Sequence, residues 1–385
     1  MRGTTDEAWR VGLLFSRGGV TGLSDSEHFY GAALAIEEVN RRGGVLGRPI
    51  DVVAYDPASD PILYRDHAER LMTVDRVPVI FGCHTSVGRK AVLRTIERRN
   101  GVLWYPSMYE GFEYSPNVIY TGAIANQCAF PLIDFLFAEY GSRFALVGAE
   151  YIFPREMNRV LRDLIEARGG EVLDETYLPL ASEDSQLKAV VSRITRLQPD
   201  VVICTLVGAS GRRLYRMYDE AGIDRRRRPI ASLTMAESEI REIGAERCAG
   251  HITSAAYFNS LELDANRRFV AAFEARFGPE RIASMWSAAS YAQVLLFAQA
   301  LEVAGTLDAQ RLVDAVLGTS IEAPEGTILI DADNNHAWLT PRIGRVGEGG
   351  RFDIVWEAPE LVRPDPYLAV SAIEPQDRNE AVRVR

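Results

Sequence analysis

Hydroxyl, aromatic and imidazole side chains cluster just after several apolar runs of this chain, a set suited to hydrogen-bonding a small uncharged molecule. The densest stretch is Trp104-Tyr-Pro-Ser-Met-Tyr-Glu-Gly-Phe-Glu-Tyr-Ser-Pro-Asn117, with five aromatics, two prolines and two serines in fourteen residues. Its prolines and glycine break a helix and exclude a central strand. It predicts a loop leaving a strand, with flat apolar walls and hydroxyl partners. Other apolar runs are followed by Gly82-Cys-His84-Thr-Ser86, Tyr105-Pro-Ser107, Tyr151-Ile-Phe153, Thr205 and Gly208-Ala-Ser210, then Ser232, Thr234, Met235 and Glu237. In open α/β sheets, ligands sit beyond the carboxyl ends of the strands.

Each of these residues has a plainer reading. Ser86 suits a helix N-cap, or a hydroxyl and helix-start N–H groups turned to a ligand oxygen. Tyr105, Tyr151 and Phe153 suit packing between lobes as well as a ligand wall. Glu237 suits a cap or a surface charge, or an anchor for an ammonium or amide N–H₂. Cys83 follows an apolar run directly and reads as a small buried residue rather than a nucleophile.

Catalytic signatures are missing. The chain has no Gly-x-Ser-x-Gly elbow, His-Glu-x-x-His, Walker loop or post-strand Gly-x-Gly-x-x-Gly. His28, His67, His84, His251 and His336 show no metal-ligand spacing, and only His84 falls at a strand end. No catalytic residue, metal site or cofactor is expected. The arginine run at 225–228 reads as a solvated loop before the next strand.

These residues need a frame, and the apolar pattern supplies one. Strands are expected at 11–15, 50–55, 78–81, 102–104, 144–147, 171–178 and 201–204. Helices are expected at 27–40, 61–74, 86–98, 157–167, 185–197 and 211–220. This alternation predicts parallel sheets with helices on both faces. The rhythm restarts near 126–144, where 126–140 reads as a helix bridging a first sheet to a second. Residues 265–305 form a strongly helical block, and short strands and turns follow from 326, with a turn at Asp333-Asn-Asn335.

The 385 residues suffice for two cores, and 47% hydrophobic with 25% charged content is ordinary for a globular chain. A net charge of −10 argues against a direct grip on nucleic acid. No apolar run is long enough for a membrane span. The first ten residues lack an apolar h-region and read as no signal peptide. The scattered cysteines Cys83, Cys128, Cys204 and Cys248 read as free buried thiols. Both features point to the cytoplasm; a trimmed export signal would point to the periplasm instead.

Several segments in shared order resemble the type I periplasmic-binding-protein superfamily. They are Gly43-Gly-Val-Leu-Gly-Arg-Pro49, Gly82-Cys83 with Ser86 and Arg89-Lys90, Tyr105-Pro106, Tyr109-Glu-Gly-Phe-Glu-Tyr-Ser-Pro-Asn117, Tyr151-Ile-Phe-Pro-Arg-Glu156, Ile230-Ala-Ser-Leu-Thr234 and Asn334-Asn-His336. Within it the chain is most similar to cytoplasmic amide sensors that negatively regulate aliphatic amidase operons, beside the urea and short-chain-amide receptors of ABC importers.

The resemblance implies two α/β lobes joined by three crossovers and closing over a small neutral amide or urea. With the rhythm restart it places residues 9–125 and 256–330 in the first lobe, 126–255 and 331–370 in the second, and 371–385 in a tail. It assigns Ser86, Tyr105, Ser107 and Tyr151 as hydroxyl-bearing ligand residues, with Thr234 or Met235 on the opposite wall. His84 stands where the amide sensor has tyrosine, and Phe153 where it has a second tyrosine, so the rim is altered and preference should move from acetamide toward a longer amide or a urea-like compound. The implied role is a ligand sensor restraining an RNA-binding antiterminator. The alternative is the solute-binding component of an ABC importer, with a permease as partner, for urea, amides or branched-chain amino acids. A homo-oligomer is compatible with either.

Overall fold

The computed structural model describes residues 8–370. The expected tail at 371–385 and most of the segment read for a signal peptide lie outside the described residues. The chain divides into two compact units. Unit 1 comprises the described residues up to Met108, with Tyr114–Gly122 and Asp264–Trp338; unit 2 comprises Tyr109–Glu113, Ala123–Leu263 and the described residues from Leu339.

Unit 1 opens with β1 (Trp9–Leu14), α1 (Gly22–Arg41), β2 (Ile50–Tyr55), α2 (Pro61–Thr73), β3 (Val79–Gly82), α3 (Ser86–Arg98), β4 (Val102–Tyr105) and β5 (Val118–Tyr120). Its sheet runs β2-β1-β3-β4-β5, and every pairing is parallel. The inner strands are continuous apolar runs because both faces are covered. Helix starts follow local chemistry: Asp60 accepts from the Ile62 amide at 2.7 Å with Pro61 at the first turn of α2.

Unit 2 is built from α4 (Ala125–Glu139), β6 (Arg143–Ala149), α5 (Ile152–Ala167), β7 (Glu171–Leu178), α6 (Asp184–Leu197), β8 (Val201–Thr205), α7 (Gly208–Glu220), β9 (Ile230–Ser232), α8 (Glu237–Ile243), α9 (Ala245–Cys248) and β10 (Ile252–Ala255). The chain returns to unit 1 for α10 (Asp264–Phe277), α11 (Met285–Ala304), α12 (Ala309–Val316), β11 (Ser320–Ala323), β12 (Gly326–Ile330) and β13 (Ala337–Trp338). It ends in unit 2 with β14 (Arg342–Val346) and β15 (Phe352–Glu357). The second sheet runs β15-β14-β10-β9-β8-β6-β7, parallel from β10 to β7 and antiparallel at β14 and β15. Strands β11 to β13 form a small antiparallel sheet.

The unit boundaries differ from those expected at four segments, each for a local reason. Residues 331–338 go with unit 1 because β13 pairs with β12 and Tyr120 bridges His336. Residues 256–263 go with unit 2, where Arg342 donates to the Ala256 carbonyl and Ser260 Oγ to the Phe352 carbonyl. Residues 123–125 lead into α4, the Ile124 amide donating to Gln127 Oε1 at 3.1 Å. Tyr109–Glu113 goes with unit 2 through bonds from the Tyr109 amide to the Ala123 carbonyl and from Phe112 to Pro366. The aromatic stretch is therefore divided between the two units.

Three helices begin earlier than expected. Helix α1 starts at Gly22 rather than 27, because Ser24, Asp25 and Ser26 are buried rather than loop residues. Helix α5 starts at Ile152 rather than 157, which puts Phe153 in its first turn. Helix α7 starts at Gly208 rather than 211. The block at 265–305 is two helices, broken where Gly278 takes φ +83° ahead of Pro279.

Candidate functional site

Strand β3 ends at Gly82, and Cys83 then adopts φ +70°, a left-handed backbone that a non-glycine residue rarely takes. The Cys83 amide is held by the Leu14 carbonyl at 3.1 Å. This bend delivers His84 to the carboxyl end of the unit 1 sheet. Thr85, not Ser86, is the N-cap of α3, its hydroxyl accepting from the Gly88 amide at 3.2 Å. Ser86 is the first helical residue, and its Oγ accepts from Arg89 Nη1 at 3.2 Å. The Arg89 guanidinium is fully buried and lies 4.7 Å over the Tyr105 ring. Tyr105 Oη donates to the His84 carbonyl at 3.0 Å.

Around His84 the side chains form a continuous line. His84 Nε2 is 3.1 Å from Ser24 Oγ, and His84 Nδ1 is 3.2 Å from Ser107 Oγ. Ser107 Oγ is 2.9 Å from His28 Nε2, which is 3.3 Å from His84 Nδ1. His28 Nδ1 is 2.7 Å from Ser290 Oγ. Trp286 meets both imidazoles edge-on, with centroids 4.8 Å from His84 and 5.5 Å from His28, and Phe15 stacks on His28 at 5.4 Å. Two proton assignments satisfy this line, one in each direction. Ser107 reaches it because Gly122 lies against its backbone: a Cβ at 122 would sit 2.1 Å from the Ser107 carbonyl oxygen.

Burial decides the charge here. It lowers the His84 pKa to about 4, and it holds His28 well below the ordinary imidazole range, with His84 adding repulsion. Both rings are neutral near pH 7. One turn before His28, burial raises Asp25 to about 7 against the bonds from Tyr64 and Ser16.

Four expected residues, His84, Ser86, Tyr105 and Ser107, thus come together in unit 1, and His84 is part of a buried wall rather than a rim. His28, Ser24, Trp286 and Ser290 follow no strand-like run, so strand-end position alone does not single them out. A signal was present: Ser24 and His28, like Trp286 and Ser290, are spaced four apart on one face of their helices.

The other four lie in unit 2. Tyr151 is the extended N-cap of α5, after β6, and its ring is 6.3 Å from that of Phe153. Thr234 and Met235 follow β9, their amides donating to Ser232 Oγ at 3.0 and 3.2 Å. Glu237 opens α8 and accepts from the Asn259 amide at 2.6 Å, its carboxyl raised to about 7 by burial. All four cysteines are free and buried. Among the described residues no group of three or more His, Cys, Asp or Glu could hold a metal ion, and no helix is long and apolar enough to cross a membrane.

The chain belongs to the family described as a periplasmic binding protein domain, matched over residues 9–372, and two largely parallel sheets with hydroxyls and aromatics at their strand ends are in keeping with that class of solute-binding proteins. A solute-binding protein of an ABC transporter from Rhodopseudomonas palustris, solved with 3,4-dihydroxybenzoic acid, shares the fold at TM-score 0.84 and 20% identity, over 93% of this chain and 99% of that one. A branched-chain amino acid transporter substrate-binding protein from Streptococcus pneumoniae, solved with isoleucine, does so at TM-score 0.81 and 19% identity, over 93% and 100%.

Among curated proteins, a leucine-, isoleucine-, valine-, threonine- and alanine-binding protein from Pseudomonas aeruginosa is 22% identical over 307 residues, 78% of this chain and 80% of that protein. A limonene hydroxylase from Geobacillus stearothermophilus is 27% identical over 132 residues, 34% of this chain. The match spans only 24% of that relative's length.

Proposed function

We propose that this chain is the solute-binding component of an ABC importer and that it takes a small neutral amide or urea-like solute. The observation that carries the ligand class is the uncharged, hydrogen-bonding wall of His28, His84 and Ser107 beside Trp286 at the strand ends of unit 1. Such a wall suits a polar molecule without net charge, because a buried ion would need a partner of opposite sign. The family resemblance adds Tyr151, Phe153, Thr234 and Met235 of unit 2 as ligand residues. The partner is an ABC permease and the compartment the periplasm, in keeping with the family. This replaces the sensor role expected from sequence, because the relatives that match over most of their length are binding proteins, several of them of ABC transporters.

A second reading has its own observation. Arg89 brings a buried guanidinium to Ser86 at the start of α3, which would suit a carboxylate. The ligands named for similar proteins, benzoates and branched-chain amino acids, carry one. Titration calorimetry against urea, acetamide, propionamide, 4-hydroxybenzoate and isoleucine decides between them. Binding of amides or urea alone supports the first reading; binding of the acids alone overturns it.

A further inference from the structure

The line of polar groups in unit 1 has consequences for how a ligand can be held, and these rest on the binding function just proposed. In either proton assignment of the line from Ser290 to Ser24, every N–H and O–H hydrogen of His28, Ser107 and His84 is committed to a neighbour. Tyr105 Oη is committed to the His84 carbonyl. A ligand acceptor arriving at this wall would have to break one of these bonds to gain its own, with little net benefit.

One donor beside the imidazoles has no hydrogen-bond partner: the indole Nε1 of Trp286. Trp286 is only 3% exposed, and its ring stands edge-on to both imidazoles. A buried N–H without a partner is destabilising; Trp104 Nε1 is another in unit 1, and what distinguishes Trp286 is the contact of its ring with both imidazoles at the strand ends. Its position on α11 is fixed by the Ser284 cap, whose Oγ accepts from the Trp286 amide at 3.3 Å.

We propose that Trp286 Nε1 is a ligand-directed donor of this site, reserved for an acceptor oxygen of the solute, and that the histidine–serine line, its own donors already committed, is the uncharged wall beside which that oxygen sits. An amide or urea carbonyl and a carboxylate both present such an oxygen. The two sources separate by size of effect, because a hydrogen bond to a charged oxygen is the stronger.

The test compares wild type with Trp286→Phe, which keeps an aromatic ring and removes the N–H. The probes are propionamide and 4-hydroxybenzoate, read by calorimetry, with thermal unfolding measured without ligand. For the amide we expect affinity about 5- to 10-fold weaker, and for the acid more than about 10-fold weaker. Unfolding temperature should fall somewhat in either case, because the smaller ring leaves a cavity, so affinity is the deciding readout. A purely structural tryptophan would leave affinity unchanged, and would overturn the proposal. If Trp286→Phe folds poorly, indole N–H resonances of the wild type carry the test, with Trp286→Tyr identifying the signal. A downfield move on probe addition supports the proposal, and an unmoved signal with bound probe overturns it. If Ser86→Ala weakens binding and Trp286→Phe does not, this inference fails while the binding function stands. If wild type binds neither probe, both fail.

Discussion

Tyr64 Oη donates to Asp25 Oδ2 at 2.6 Å, in a part of unit 1 where both residues are buried. The bond does not offset the burial of the carboxyl, whose pKa rises to about 7. A carboxyl raised in the folded state contributes stability below its unfolded pKa, and that contribution is lost as pH rises through the folded value. Asp25→Asn keeps an oxygen for Tyr64 and cannot ionise. We expect it to match wild type near pH 4 and to exceed it above pH 7 by on the order of 3 kcal/mol. Urea unfolding of both proteins across that range checks this, and parallel curves would refute it.

The histidines work in the opposite direction. His84 is lowered to about 4 and His28 lies well below its ordinary range, so the unfolded chain binds protons first as pH falls. Stability is then lost between about pH 6.5, the unfolded imidazole value, and the folded values. Replacing His84 with glutamine should remove its share, on the order of 3 kcal/mol at the acid end. A wild-type denaturation midpoint that fell no more steeply than the variant's from pH 7 to 4 would contradict this.

Ligand binding should respond to single atoms. Ser86→Ala and Tyr151→Phe should each weaken binding of the best solute by about 1–3 kcal/mol, because each leaves a desolvated ligand group unpaired. Their unfolding temperatures without ligand should change less. Calorimetry showing wild-type affinity in both variants would remove these residues from the site.

Packing between α1 and α11 offers a sharper test. A Cβ at Gly31 would lie 2.0 Å from the Ser287 carbonyl oxygen. Gly31→Ala must part the two helices, at a cost of about 1–3 kcal/mol. His28 and Ser290 lie one turn away on the same pair of helices, so affinity should drop along with stability. Thermal unfolding and a single calorimetric titration would show both, and a stable variant with weakened binding alone would not fit.

Much of this frame was legible from residue pattern. The apolar runs at β1, β3, β6 and β8 announce buried parallel strands, because such strands are covered on both faces. Ser86 is legible because it comes shortly after β3, and Tyr105 and Ser107 because they stand at and just beyond the end of β4. His28 is not, since it sits within a helix and its partner Ser290 is 262 residues away. The early start of α1 was hidden for a related reason: Ser24, Asp25 and Ser26 have the composition of a loop, and only tertiary partners such as Tyr64 make them helical and buried. The excursion of Tyr109–Glu113 carries no local signal, because its bonds run to Ala123 and Pro366.

That interleaving also governs how the chain can be made. The five strands of the first sheet have all been synthesised once Tyr120 has left the ribosome, yet α11, which packs Phe297 against Phe81 and Trp104, ends only at Ala304. A nascent chain must therefore carry an uncovered apolar sheet face while all of unit 2 up to Leu263 is translated. Vectorial folding from the N-terminus cannot finish the first unit until Trp338 has been translated, and the second waits longer still, for β14 and β15. Truncation within unit 2 is therefore expected to leave that face uncovered and to give an aggregation-prone fragment rather than a working half.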